Sequence, residues 1–487
     1  MDSAVERLLD TVVDGRAEGI RFRQDNLTSL HHELRKESAA LTAAQEKDTG
    51  ASKAEIEAEY FLALEAVRHF YESLDFAKEL ETEYLVAHGK DNASRRTGAG
   101  LVIIRPTTYT RLFSILSPLA GALAAGSVVA LECSVPYSPA PLTKTPSASP
   151  RGSQMYPSSS KPSSPKKHLP IPSARANHLV SANAARAVAI VDRTADVEAA
   201  AKAITAARFG FGGQSPYAPD LVLVNEYVKK DFFEACSKHA TLAFARETTV
   251  RRTSDNSSDE TRKAVQEAED KRLVSSFGSN DFKLVDIKDN IRGASLVNIK
   301  ISGRFLPIAT SSGLVDSIYT QEFDSITSDM TKESSAGRVP FRQPDAAKYL
   351  SQHLPAHISF INQIPSNLLL GPAAPISHEP AFAFRYSKDM FSVARPQFIE
   401  RPGDAPAMVE QLLSGSGSGA VTAQSLRALA LTPLQPTKQP GNSRLGFFEQ
   451  GFVLSASLIM SVLLPSLAYG TWIGGRRAFD YALKLRG

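Results

Sequence analysis

The chain has 487 residues, of which 43% are hydrophobic and 22% charged, with a formal net charge of +4. That length exceeds one ordinary domain, and the composition is globular rather than fibrous or disordered. The small charge gives no reason to invoke nucleic acid, and two distant cysteines, Cys133 and Cys236, exclude a disulfide framework and fit a reducing compartment.

The first 85 residues read as helices. Leu8, Leu9, Val12 and Val13 recur at helical intervals, as do Leu27, Leu30 and Leu34, and then Phe61, Leu62, Leu64, Val67 and Phe70. Asn26 and Ser38 are candidate caps or breaks. Residues 1–16 carry acids and lack an apolar run, so no secretory signal is expected. From Gly98 the period changes. GAGLVIIRP reads as a buried strand, LFSILSPLAGALAAG as a helix stopping at Gly126, and SVVALE as a second strand. This order predicts a doubly wound α/β sheet.

Residues 134–173 hold 11 Ser and 10 Pro in 40 positions. Such a composition cannot bury a core, so 134–177 is expected to be disordered, reading either as a degenerate insert or as an error in the gene model. Regular pattern resumes at His178. AVAIVD and DLVLVNE predict strands, and ADVEAAAKAITAARFGFGG, VKKDFFEACSKHA and Thr261 to Arg272 predict helices. ASLVNIKIS and RFLPIAT read as strands, AAKYLSQH as a helix and ISFIN as a further strand. His353 and His357 are separated by Pro355, and Cys236 and His239 lack a second pair, so no metal site is expected.

Gly451–Gly475 carries no charge and is long enough to cross a bilayer, with Tyr469 and Trp472 near one end and Arg476 and Arg477 closing it. Pro465 predicts a kink or a hairpin there. Basic residues on both sides (Lys438, Arg444, Lys484 and Arg486) leave the orientation open.

Several of these stretches together resemble the aldehyde dehydrogenase superfamily. FRQDNLTSLHHEL is similar to the opening helix of class 3-like members, and SPLAGALAAGSVVALE to the segment QPLxGAIAAGNxVVLKPSE. AVAIVDRTADVEAAAKAITAARFGFGGQSPYAPDLVLVNE resembles the run around the family nucleophile, usually GQTCxAPD. RFLPI is similar to the end of EExFGPxLPI, and GPAAP with MFSVARPQF resembles fungal relatives, which suggests a role in secondary metabolism.

The resemblance implies oxidation of an aldehyde to its acid with NAD or NADP, through a cysteine thioester that an asparagine and a backbone N–H stabilise and a glutamate-activated water hydrolyses. Position by position, the demands are not met. The cysteine position is Pro216, which also lacks the N–H; the asparagine position is Tyr109; the glutamate position is Ala182. The lysine that contacts the adenosine ribose falls on Glu132, the glutamate that holds the nicotinamide ribose on Lys300, and the proline after it on Arg304. Ser215 is a candidate substitute nucleophile that needs a base beside it, and Cys236 reads as an ordinary core or surface cysteine.

The expected fold is therefore α/β and aldehyde dehydrogenase-like, with a doubly wound NAD-binding-type domain, a catalytic-type α/β domain and a C-terminal membrane helix. The expected divisions are 1–133 for the helices and first half of the NAD-binding-like domain, 134–177 for the Ser/Pro segment and 178–208 for the rest of that domain. They continue with 209–385 for the catalytic-like unit, 386–445 for a bridging segment and 446–487 for the anchor and tail. Expected partners are a second copy in a homodimer and a membrane, with the main domain facing the cytoplasm, and a small-molecule aldehyde only if activity survives. The competing reading is a membrane-anchored pseudoenzyme that serves as a scaffold.

Overall fold

The computed structural model describes residues 3–132, 179, 181, 185–245, 259–279, 281–288, 295–311, 337–341, 348, 351, 356–375, 378–379, 381, 383–400, 403–415, 419–435 and 447–484. The Ser/Pro segment, Ala182 and most of the predicted AAKYLSQH helix lie outside these residues. The described chain divides into two units, Met1–Glu400 and Arg401–Gly487.

The first unit opens with five helices, α1 (Ser3–Val13), α2 (Ile20–Lys36), α3 (Ser38–Thr49), α4 (Lys53–Glu72) and α5 (Phe76–Glu83). Leu27 and Leu34 are buried as their spacing predicts, together with Val67 and Phe70, but Phe61 points to solvent at 60% exposure. Ser38 does begin a helix. Asn26, by contrast, sits inside α2, where its side-chain amide donates to the Phe22 carbonyl at 2.7 Å and so does not interrupt the helix. α4 starts at a capping box: Ser52 Oγ accepts from the Glu55 N–H at 3.3 Å, and a Glu55 carboxylate oxygen accepts from the Ser52 N–H at 2.9 Å.

The buried face of α4 lies against α6 (Arg111–Ala124), through Phe70, Phe113, Leu116 and Ala120. A Cβ at Gly121 would stand 2.7 Å from the Phe391 ring, so only glycine lets that ring pack here. Glu59, itself buried on α4, accepts from the Phe113 N–H at 3.1 Å and so satisfies a free donor in the first turn of α6. Burial pushes the Glu59 carboxyl above its ordinary value, against the pull of its backbone donors.

α6 connects the parallel strands β2 (Leu101–Ile104) and β3 (Val128–Leu131), the β-α-β unit that the sequence predicts. A short antiparallel pair joins β1 (Arg96–Gly98) to β10 (Ser392–Ala394). The main sheet has six strands in the order β6 (Val274–Gly278), β7 (Lys283–Ile287), β8 (Phe305–Ser311), β5 (Leu221–Asn225), β4 (Ala187–Val191) and β9 (Gly337–Phe341). Only the β6–β7 pair is antiparallel. β4 and β5 are continuous apolar runs because both faces are covered. Ala189, Val191, Val222 and Val224 meet α7 (Val197–Phe209) and α8 (Lys229–Ala245), while Val188, Ile190, Leu221 and Leu223 meet α9 (Asp259–Asp270).

Four expectations need correction. The expected division between 178–208 and 209–385 falls within one sheet, because β4 pairs with β5. ASLVNIKIS is a 3₁₀ turn at Ser295–Asn298 and a loop rather than a strand, because Leu296, Val297 and Ile301 plug the space against α9 and leave no edge to pair. ISFIN, set between Pro355 and Pro365, forms no strand. The bridging segment 386–445 is split, since Ser392–Ala394 pairs within the first unit while later residues belong to the second.

The second unit holds α10 (Asp404–Ser414), α11 (Gly419–Ala430) and α12 (Phe447–Lys484). α12 runs unbroken through Pro465, as a continuous helix and not the expected hairpin alternative. Gly451–Ala478 within it is long and apolar enough to cross a membrane, with a mean hydropathy of 1.9 in its apolar window and none of that window buried.

Burial of Glu59 generates a test. A carboxyl whose pKa is raised on folding adds stability below its unfolded value of 4.5, and that contribution is lost as pH rises toward the folded value. The stability of the native chain relative to Glu59→Gln, which keeps an acceptor oxygen, should fall as pH rises above about 4.5 in parallel urea titrations. A constant difference would show that Glu59 is ionised where it sits.

Candidate functional site

The site forms where α7 returns to β5. The turn Gly210–Gly213 reverses the chain with positive φ at Phe211 (49°), Gly212 (67°) and Gly213 (70°). Gly213 is required by close approach, since a Cβ there would lie 2.1 Å from the Gly303 carbonyl oxygen. Glu55, already the capping partner of α4, uses its second oxygen to accept from the Phe211 N–H at 2.6 Å. The helical layer thereby fixes the turn that leads into Ser215 and Pro216.

Beyond the turn lies a buried ionic cluster at the amino-terminal edge of the sheet. Asp220 accepts from four donors: the Ala187 N–H at 2.7 Å, the Ile301 N–H at 3.0 Å, Lys300 Nζ at 2.8 Å and Arg208 Nη1 at 3.3 Å. Arg208 is fully buried and also donates to the carbonyls of Gly213, Ile301 (2.7 Å) and Gly303 (3.0 Å). Burial lowers the pKa of both Arg208 and Lys300, and Asp220 opposes that shift in each. Lys300 makes one further bond, to the Pro216 carbonyl at 2.9 Å. Arg304 donates to the Phe209 carbonyl at 3.0 Å and lies 5.3 Å from the Phe244 ring centroid. Lys300 and Arg304 thus act as clamps on this seam.

Opposite stands the approach to α6. Thr110, at φ 41°, accepts from the Gly371 N–H at 2.8 Å through its hydroxyl, and Tyr109 Oη donates to the Gly371 carbonyl. Tyr109 is also hydrogen-bonded to Ser215, and burial pushes its phenol well above the ordinary range, so it is neutral. Tyr217 Oη accepts from the Ala374 N–H at 2.8 Å, and the Arg385 guanidinium sits 5.0 Å from its ring centroid. Pro216, Ser215, Tyr109 and Lys300 therefore do converge. Glu132 lies apart, at the end of β3, paired with Arg105 at 2.9 Å.

The chemical consequences follow from this inventory. Pro216 is buried and offers neither nucleophile nor N–H. Ser215 is buried against Tyr109 and the Tyr217 N–H, and a phenol with a raised pKa is not a base that could activate it. Cys236 is fully buried on α8, where desolvation pushes its thiol up and holds it protonated. His239 is drawn instead to Glu198 at 3.1 Å. Glu55, Arg208, Asp220, Tyr217 and Arg385 were not singled out from sequence. Asp220 stands in the quoted APD triplet, but nothing local marks Glu55 or Arg385, whose partners are distant in the chain.

Removing the shared carboxylate strands two buried cations. Asp220→Asn should destabilise the first unit by about 3–5 kcal/mol, read as a lower urea midpoint, because one partner of a buried pair is lost while the other stays desolvated. An unchanged midpoint would mean that the cluster is hydrated.

Neither a protein-family model nor a curated protein sequence matches the chain. Solved structures do. An AldH from Staphylococcus aureus in a substrate-bound state is 15% identical, with a TM-score of 0.58 over 88% of this chain and 100% of that one. GapN, a glyceraldehyde-3-phosphate dehydrogenase of Methanocaldococcus jannaschii complexed with NADP, is 13% identical with a TM-score of 0.56 over 81% and 92%. An NADP-dependent glyceraldehyde-3-phosphate dehydrogenase of Bacillus halodurans complexed with NADP is 13% identical with a TM-score of 0.55 over 81% and 90%. At these identities the likeness is one of architecture, and the chain has the α/β fold that these aldehyde dehydrogenases share.

Proposed function

We propose that this chain is a membrane-anchored protein of aldehyde dehydrogenase type that has kept the fold and lost the thioester chemistry. The observation that carries the reading is Pro216, which stands in the nucleophile slot with its carbonyl held by Lys300 at 2.9 Å. Tyr109, in the asparagine slot, donates its hydroxyl to the Gly371 carbonyl instead of presenting it to a substrate. The third change, Ala182, lies outside the described residues and rests on sequence alone.

NAD or NADP is the cofactor this fold implies, and two of the similar structures are complexes with NADP. The carried-over ribose contacts do not fit it. Glu132 offers an acceptor where a donor is needed, and the Lys300 ammonium is engaged by Asp220 and Pro216. The class 3-like fungal type, the homodimer and a place in secondary metabolism belong to the same proposal on sequence resemblance. The membrane reading is supported by the apolar Gly451–Ala478 stretch and by Tyr469 and Trp472, whose rings stack with centroids 6.2 Å apart below Arg476. Cytoplasmic placement of the first unit is part of that reading.

Purified full-length protein with NAD or NADP and a series of alkyl aldehydes should produce reduced nicotinamide no faster than a blank without protein. Pro216→Cys alone should leave that rate unchanged, since the oxyanion donor and the base are still missing. Steady turnover by the native chain, or rescue by the single substitution, would overturn the proposal. For the anchor, alkaline carbonate extraction of membranes should leave the full chain in the pellet and move a chain ending at residue 446 to the supernatant.

A further inference from the structure

Two arginines of the first unit are almost completely buried, and they are treated differently. Arg208 is 0% exposed and its charge is answered by Asp220, with four carbonyls beside it. Arg385 is 1% exposed and has no carboxylate partner among the described residues. Its Nη2 donates to the carbonyls of Leu368, at 2.9 Å, and Leu370. Its Nη1 and Nε are covered from solvent and have no hydrogen-bond partner. Arg208 leaves only Nε bare.

A buried guanidinium without a counter-charge is strongly unfavourable, and the surroundings of Arg385 were built to hold it nonetheless. Its backbone is at φ 70°, a conformation that L residues seldom adopt, and the Tyr217 ring supports the cation from one side. Tyr109 and Tyr386 both feel its positive charge. Among the described residues, neutral carbonyls and a ring face satisfy part of the guanidinium and no carboxylate meets it.

We propose that Arg385 anchors a binding site for a small oxyanion, a carboxylate or a phosphate group, beside Tyr217 and Tyr109. The ligand's oxygens take the N–H groups of Nη1 and Nε that are buried without a hydrogen-bond partner, and its negative charge answers that of the guanidinium. Arginine suits this task because its planar fork presents several fixed donors. The inference does not rest on the loss of thioester chemistry, because these donors play no part in that reaction.

The test uses the full-length protein in detergent, held at constant ionic strength with sodium chloride. Its Tm is followed against sodium acetate, sodium hexanoate and inorganic phosphate, with acetamide and hexanamide as neutral counterparts. The expected result is a saturable rise in Tm with at least one of the anions and none with the amides. A rise with the carboxylates assigns a carboxylate ligand, and a rise with phosphate alone assigns a phosphoryl group. Arg385→Met should abolish the anion effect, and Arg385→Lys should weaken the apparent affinity by about tenfold or more, because a single ammonium replaces the fork. If Arg385→Met does not fold, the native chain still decides the matter through hexanoate against hexanamide and phosphate against chloride. Equal effects of each anion and its control, or an anion effect unchanged in Arg385→Met, would overturn the proposal.

Discussion

The first amide groups of parallel strands point past the edge of the sheet, where no neighbouring strand meets them. Asp220 resolves this at the start of β5. Its carboxylate reaches sideways to the Ala187 N–H at the head of β4 and to the Ile301 N–H in the loop that leads into β8. Two donors on one carboxylate would leave a buried negative charge in a medium of low polarity, so Arg208 and Lys300 complete the set. One side chain thus fixes the register of three chain segments. The turn from Gly210 to Pro216 has little freedom left, since Arg208 holds the Gly213 carbonyl and Lys300 holds that of Pro216.

That constraint accounts for how Pro216 is accommodated at the end of the turn. A buried N–H without a partner is costly, and proline has none to leave bare. Its remaining polar atom, the carbonyl, is met by an ammonium. The same economy holds across the seam, where Gly371 has both its N–H and its carbonyl bonded by Thr110 and Tyr109. The polar groups at this junction are largely engaged in holding two loops together. An active site usually bears the opposite mark, with polar groups aimed at a position that only substrate fills. Arg385 bears that character in part, since its Nη1 and Nε are buried without a hydrogen-bond partner.

Much of the architecture was legible in the sequence because periodicity reports local burial. The runs at 187–191 and 221–225 are apolar at every position, and they are strands covered on both faces. Which sheet a strand joins is not local information, so the pairing of β4 with β5 cannot be read from the periodicity of either. β6 and β7 escaped notice because polar and charged residues interrupt their apolar positions, as at Ser275, Ser276 and Asp286. ASLVNIKIS shows the reverse error: its β-branched residues are buried by packing under α9 and not by pairing. At the site, Pro216, Tyr109 and Lys300 were found through resemblance, which carries positions but not partners. That Lys300 grips Pro216, that Glu55 caps one helix and steadies a distant turn, and that Nη1 and Nε of Arg385 are buried without a hydrogen-bond partner are all long-range facts.

α12 can be judged by what its surface requires. Large apolar side chains are exposed from Phe452 through Val453, Leu454, Leu458, Ile459, Met460, Val462, Leu463 and Leu464 to Leu467, Tyr469 and Trp472, on every side of the helix. Water does not tolerate a continuous apolar surface of that extent, and a coiled-coil partner would cover only one stripe of it. The polar atoms point the same way. Ser457, Ser461, Ser466 and Thr471 each turn their hydroxyl back onto a carbonyl three or four residues earlier, at 2.7–2.9 Å, and so offer no unmet donor to the surroundings. Pro465 removes one backbone bond, and a helix in an apolar medium keeps its remaining bonds more firmly than one in water, because no solvent competes for them. A helix that is apolar all round and satisfies its polar groups internally is matched to hydrocarbon, and at 1.5 Å per residue the 28 residues of Gly451–Ala478 reach about 42 Å, enough for a core of about 30 Å with some tilt.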